Sequence, residues 1–135
     1  MTEQHQVLID SNIVIDIAGD TGEWTEWSMK QVSLHAGALR INPVIYSELC
    51  SPWESVAEVE DLISYLGLVY LEMPREALLL AAQAFKLYRQ RGGVKTAPLP
   101  DFFIGAHAAS LGIPIITRDV NRYQTYFPTV ILIAP

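Results

Sequence analysis

The sequence predicts an α/β fold, a parallel sheet with helices covering both faces, and three observations carry that expectation. Short apolar runs suited to strands recur at 6–10 (QVLID), about 39–42 (LRIN), 68–71 (LVYL), 114–117 (PIIT) and 130–133 (VILI). Most are continuous rather than alternating, as expected of strands buried on two sides. Helical patterns lie between them, and strands alternating with helices imply a parallel sheet with right-handed crossovers. At 135 residues, half of them hydrophobic and 18% charged, the chain is long enough to bury one core. No repeat, low-complexity stretch or linker divides it, so 1–135 reads as a single domain.

The helices announce themselves by their ends. Asn42 followed by Pro43 reads as an N-cap with proline in the first helical position. Residues 54–66 carry helical spacing in Val56, Val59, Leu62, Ile63 and Leu66 and end near Gly67. The segment 75–91 is rich in Ala, Leu and Gln, strong helix formers, and Gly92-Gly93 stops it. Asp101 to Leu111 begins after Pro100 and ends at Gly112, the residue expected at a helix C-terminus.

Composition narrows the setting. The single cysteine, Cys50, excludes an internal disulfide and suits a reducing cytoplasm. The first five residues are polar and the apolar runs are too short to span a bilayer, so neither a signal peptide nor a membrane segment is expected. A net charge of −6 excludes coating nucleic acid by charge alone. The distribution says more than the sum. Six of the nine bases (Lys86, Arg89, Arg91, Lys95, Arg118, Arg122) fall between 86 and 122, whereas the first 85 residues hold three bases against thirteen acids. This cluster reads either as a solvated helix end and loop or as a basic rim.

Ligands of open α/β sheets bind outside the carboxyl ends of the strands, which makes acids at those ends worth counting. Asp10 ends the first strand and Asp119 follows the fourth, in PIITRD. Glu48 lies on the helix after LRIN, and Asp101 opens the helix entering the fourth strand, behind the loop GGVKTAPLP. Each has a purely structural account: Asp10, Asp119 and Asp101 as helix caps, Glu48 as an exposed helix residue. Taken together they point elsewhere. Carboxylates held close repel one another unless a cation or protons neutralise them. Oxygen ligands without His or Cys suit Mg²⁺ or Mn²⁺ rather than zinc, and such an ion supports phosphodiester chemistry. The bases at 86–95, with Arg118 and Arg122 flanking Asp119, would then rim an acidic pit and hold a backbone phosphate.

Other residues invite roles and have simpler accounts. His107, six positions beyond Asp101 amid Ala and Gly, reads as a packed core residue, and Cys50 as a buried small one. Asp16, well round the helix from Asp10, reads as a solvated or pairing acid. Trp24, Trp27 and Trp53 read as core aromatics, although two tryptophans three apart beside several acids also suit a half-exposed, partner-binding helix face.

Four blocks in order (VLIDSNIVID, PVIYSELC, PLPDFFIGAHA and ITRDVNRYQTYFP) resemble PIN-domain ribonucleases, and within them the VapC-type toxins of bacterial toxin–antitoxin modules. The resemblance covers essentially the whole chain, and its last two blocks are the more specific. It implies a three-layer α/β/α sandwich with a central parallel sheet. It also implies a metal-dependent endoribonuclease with an RNA substrate, a small VapB-like antitoxin as partner, and a homodimer. Asp10, Glu48, Asp101 and Asp119 would form the acidic quartet that binds Mg²⁺ or Mn²⁺. Asp10 and Asp101 would be the direct ligands, Asp119 would complete the site, and Glu48 would ligate a second ion or orient the attacking water. Asn12 and Thr117 match supporting polar positions, with Arg118 beside them. Ser11 stands where Thr is common but keeps the hydroxyl. The acidic segment GDTGEWTEW (19–27) is less typical, and no role carries over to it.

Two other phosphoryl-transfer classes fit poorly. A haloacid-dehalogenase-like phosphatase wants a second Asp at position 12, which is Asn. A receiver domain wants an Asp ending the third strand, where LVYLEMP offers Glu72. A non-catalytic PIN-like module that only holds RNA or a protein is the remaining alternative, and the intact quartet argues against it.

Overall fold

The computed structural model describes residues 5–19 and 22–135. The polar N-terminal residues 1–4, part of the stretch bearing on a signal peptide, lie outside the described residues, as do Asp20 and Thr21 of the acidic segment. Five strands, β1 (Val7–Ile9), β2 (Leu39–Ile41), β3 (Val69–Tyr70), β4 (Ile115–Ile116) and β5 (Leu132–Ile133), form one sheet in the order β3-β2-β1-β4-β5. Every pairing is parallel. Seven helices among the described residues connect them: α1 (Ser11–Gly19), α2 (Thr25–Leu34), α3 (Pro43–Leu49), α4 (Val56–Leu66), α5 (Arg75–Gln90), α6 (Pro100–Leu111) and α7 (Asn121–Tyr126). With right-handed crossovers, leftward growth from β1 to β3 puts α1–α4 on one face, and the return to β4 and β5 puts α5–α7 on the other. The result is the three-layer α/β/α arrangement.

The strands are shorter than the apolar runs that announced them, because flanking residues leave the ladder to meet loops. β1, β2 and β4 are buried, with Leu8, Ile9, Leu39, Ile41, Ile115 and Ile116 wholly inaccessible. β3 departs from the expectation of a sheet covered throughout: it lies at the edge, and Val69 and Tyr70 are both exposed.

Several helix ends follow their sequence signals. Asn42 caps α3, its side chain accepting the Ile45 N–H at 2.9 Å, with Pro43 in the first turn. Ser55 caps α4 by accepting the Glu58 N–H, so the helix begins at Val56 rather than 54. It stops at Gly67, whose φ of 69° is left-handed. α5 ends at Gln90, one residue early. α6 starts at Pro100, one residue before Asp101, which therefore lies inside the first turn and is not the cap. Phe102, Ile104, Gly105, Ala106, His107 and Ala108 of α6 are all buried. A helix buried on so many sides is a core element, packed between α5, α7, α3 and β1.

Gly105 is needed for that packing: a Cβ there would stand 2.3 Å from the Phe127 ring. His107 is 1% exposed, in the core as its neighbours suggested. Its Nδ1 lies 3.1 Å from Asn42 Nδ2. Asn42 Oδ1 is taken by the α3 cap, so its amide nitrogen faces His107 as a donor and Nδ1 accepts. Burial lowers the His107 pKa and keeps the ring neutral. The ring proton therefore sits on Nε2, which has no partner among the described residues. Cys50 is half-buried and free.

Candidate active site

The strand order reverses at β1, which is flanked by β2 on one side and β4 on the other. A crevice is expected at the carboxyl ends of such a pair. Leu8 pairs with Ile115 and Ile9 with Ile116, so the next residues on each strand, Asp10 and Thr117, emerge side by side. The Asp10 N–H donates to the Ile116 carbonyl at 2.9 Å, carrying the ladder one residue further.

Asp10 is 4% exposed and its carboxylate is held from three directions. Oδ1 accepts the Ser11 N–H at 2.8 Å, while Oδ2 accepts the hydroxyls of Thr117 at 2.9 Å and Tyr123 at 2.8 Å. The cap-like contact to Ser11 and the long-range contacts thus coexist. One lone pair of Oδ1 stays free for a ligand. Burial pushes the carboxyl above its usual pKa and Asp119 adds to this, while the hydrogen bonds from Tyr123, Thr117 and Ser11 pull the other way.

Thr117, fully buried, orders the surroundings through one hydroxyl. It accepts from the Asp119 N–H at 3.0 Å and from Asn12 Nδ2 at 3.3 Å, and its single proton goes to Asp10 Oδ2 at 2.9 Å in preference to the Asp119 carbonyl at 3.3 Å. Asn12 Oδ1 in turn accepts the Arg118 N–H at 3.2 Å. Asn12 and Thr117 therefore tie the start of α1 to the loop that carries Asp119. Val120 occupies the cap position of α7 without a side-chain bond, so Asp119 is not a helix cap, and its side chain is exposed.

Glu48, half-buried on α3, accepts the Ser11 hydroxyl at 3.0 Å through Oε1. Its pKa is raised by burial and by the charges of Asp10 and Asp101. Asp101 is pushed up to about 6 by burial and by Asp10 and Asp119, with Arg122 opposing. The fold thus brings the four acids near one another: the charge of Asp119 reaches Asp10 and Asp101, and the charges of Asp10 and Asp101 reach Glu48. Among the described residues, however, no group of three or more carboxylates, histidines or cysteines is set to close on one ion.

The bases separate into different roles. Arg118 turns away from the acids: its Nε and Nη2 donate to the Asp16 carboxylate at 2.7 and 2.9 Å, and its guanidinium lies 5.7 Å from the Trp24 ring centre. Asp16, a pairing acid, also accepts the Ser28 hydroxyl at 3.1 Å, fastening α2 to α1. Arg89 donates to the carbonyls of Gly93 and Lys95 and holds the glycine loop. Arg122 is the arginine ion-paired to the quartet among the described residues, with Nε 3.9 Å from Asp101 Oδ2.

One functional candidate, Tyr123, was not anticipated from sequence, and Ser11, noted there only for keeping a hydroxyl, takes a bridging role. Tyr123 is wholly buried, with its hydroxyl proton held firmly by burial and by the neighbouring carboxylates. Ser11 bridges Asp10 and Glu48. A tyrosine four residues past a loop acid is a weak signal, and only the return of α7 over β1 makes it a ligand of Asp10. Trp24 and Trp27 are half-buried and Trp53 is 36% exposed. Trp53 lines an apolar groove with Val14, Ile15, Ala18, Leu49 and Leu62. A second groove runs along Ile17, Met29, Val32, Tyr65 and Leu66.

An α/β/α fold with strand-end carboxylates around a reversing strand order defines the class: the chain belongs to the PIN domain family, whose model matches residues 7–128. In fold it is similar to VapBC2 from Rickettsia felis bound to a promoter DNA fragment, at 14% identity over 95% of this chain and 97% of that one, TM-score 0.69. It is likewise similar to DNA-bound VapBC from Salmonella typhimurium (17%, 96% and 98%, TM-score 0.71) and to FitAcB from Neisseria gonorrhoeae (16%, 94% and 96%, TM-score 0.69). No curated protein matches the chain in sequence. No helix of the described residues is long and apolar enough to cross a membrane.

Proposed function

We propose that the chain is a metal-dependent endoribonuclease that hydrolyses RNA phosphodiester bonds, and the toxin of a toxin–antitoxin pair. PIN domains are generally nucleases, and the fold neighbours are toxin–antitoxin complexes. The observation that carries the proposal is Asp101, pushed up to about 6 by burial and by the charges of Asp10 and Asp119. A buried carboxylate that also faces like charges gains from a hard divalent cation. An all-carboxylate donor set suits Mg²⁺ or Mn²⁺, and Mg²⁺ takes one or two carboxylates with its remaining positions filled by water and phosphate. A site without three preset ligands is compatible with that habit.

Asp10 and Asp101 would hold the ion, Asp119 would complete its surroundings, and Glu48 would orient the attacking water. When bound, the ion would lower the pKa of a water and stabilise charge on the phosphoryl group. The chain's own part is positioning. Tyr123 and Thr117 fix one oxygen of Asp10, Ser11 spaces Asp10 from Glu48, and Asn12 anchors the Asp119 loop. The two apolar grooves along α1, α2 and α4 support docking of a small antitoxin, and exposed Leu78, Leu79 and Leu87 on α5 support pairing with a second copy. The test is cleavage of total cellular RNA with Mg²⁺ or Mn²⁺, with cut sites mapped and Asp10→Asn as control. Metal-dependent cuts lost in the variant are expected. Equal RNA binding by both proteins without cleavage would instead make the chain a non-catalytic module.

A further inference from the structure

We propose that Arg122 is the phosphate-gripping residue of this site, contacting the backbone of a single-stranded RNA beside the carboxylates. This rests on the nuclease reading and goes beyond it, because it singles out one of the four arginines in the basic cluster. Arg118 is spent on Asp16 in a two-pronged ion pair, and Arg89 on the carbonyls of Gly93 and Lys95. Arg91 is exposed and lies 5.5 Å from the Tyr126 ring centre. Arg122 is held differently. Its guanidinium sits 5.4 Å from the ring centre of Tyr88 and 5.3 Å from that of Phe102, so ring faces fix its plane while leaving its donors uncommitted.

Its partner among the carboxylates, Asp101, stands 3.9 Å away, beyond hydrogen-bond reach; Nη1 is buried without an acceptor among the described residues, so a phosphate would meet the other donors of the partly exposed guanidinium. A planar fork with unused donors is suited to a phosphate. The placement is equally pointed. Arg122 neighbours Tyr123, whose hydroxyl binds Asp10, so α7 delivers a fixed cation and a support of the first carboxylate together. In a chain of net charge −6, one cation at the lip of an acidic pit lowers the repulsion that RNA meets there. The framework around it is built tightly: a Cβ on Gly93 would stand 2.4 Å from the Tyr88 ring that carries the guanidinium.

The test measures binding of a short fluorescent single-stranded RNA to the full chain across a salt series, with Ca²⁺ present in place of Mg²⁺. One phosphate contact on a single strand contributes about 0.7 to the slope of log affinity against log salt. Arg122→Met, which keeps the bulk against the rings, is expected to lower that slope by about this amount and to weaken binding about tenfold. Arg122→Lys is expected to keep the slope and bind more weakly than wild type, because a point charge replaces the fork. An unchanged slope in a folded Arg122→Met variant overturns the inference even if cleavage falls, since Arg122 would then serve only to neutralise Asp101. Should that variant fail to fold, Arg122→Lys decides: wild-type affinity overturns the inference. Wild-type chain that neither binds nor cuts RNA removes the nuclease reading as well, whereas cleavage with an unaltered slope removes the Arg122 assignment alone.

Discussion

Asp101→Asn should stabilise the metal-free protein at pH 8 and do nothing for it in acid. The carboxyl stands at about 6 in the fold against 3.8 for an unstrained aspartate. At about 1.4 kcal/mol for each pH unit between the two, its ionisation costs the fold about 3 kcal/mol. Its side chain is 28% exposed, and solvent screening brings this to about 2 kcal/mol. The opposing charge of Arg122 is already contained in that value, so the expected net gain is about 1–2 kcal/mol once screening is allowed for.

The sign follows from proton binding. A carboxyl whose folded pKa is raised binds its proton more tightly in the native state. Its penalty is absent below 3.8, grows between 3.8 and about 6, and is complete above 6. For 135 residues, each kcal/mol moves Tm by about 3–4 °C, so the variant should melt about 3–8 °C above wild type at pH 8 in EDTA. The two should converge near pH 4. Adding Mg²⁺ should raise the Tm of wild type by mass action and that of the variant less. Paired thermal melts over this pH range check the prediction. An Asp101→Asn protein no more stable than wild type at pH 8, or equally favoured at pH 4, would refute the cost of ionising Asp101, set by burial and by its neighbours' charges, on which the metal assignment rests.

Tyr123→Phe removes one of three donors to a buried carboxylate and should cost about 1.5–3 kcal/mol at neutral pH; Mn²⁺ titration by calorimetry should also show weaker binding, and unchanged stability and affinity would deny the hydroxyl its supporting role. Asn42→Ala strips the α3 cap and leaves both nitrogens of His107 unpaired. In urea its midpoint should fall by an amount equivalent to about 2–3 kcal/mol with the slope unchanged; a loss under half that would mean water already serves the ring. Gly105→Ala places a methyl 2.3 Å from Phe127 and should destabilise by about 1–3 kcal/mol. Because Phe127 follows α7, RNA cleavage should also drop although no carboxylate is touched, and wild-type cleavage would show that α7 is not held in place through this contact.

Much of the fold was legible because each layer obeys a local rule. Apolar runs without alternation marked a two-sided sheet, and Asn42-Pro43, Gly67 and Gly112 marked helix ends through backbone chemistry confined to a few residues. Asp10 and Asp119 were legible as site candidates for a similar reason: parallel topology sends strand ends to one edge. The Trp24 segment was less legible, since nothing local shows that Trp24 will meet the guanidinium of a residue more than ninety positions away.

By itself the sequence determined the order of strands and helices, the edge of the sheet where carboxylates gather, and the oxygen-only character of that gathering. These follow from side-chain periodicity and residue type, which are properties of short windows. Tertiary structure alone decided which groups share a hydrogen bond and which charges feel one another. It turned Arg118 toward Asp16 and left Arg122 beside Asp101. It also brought Tyr123 back across more than a hundred residues to Asp10. Donor geometry and burial depend on contacts between distant segments, and no pattern along the chain encodes the distance between them. The strand end at Asp10 is a sequence fact; its raised pKa, its three donors and its one free lone pair exist only once β1, β4 and α7 have met.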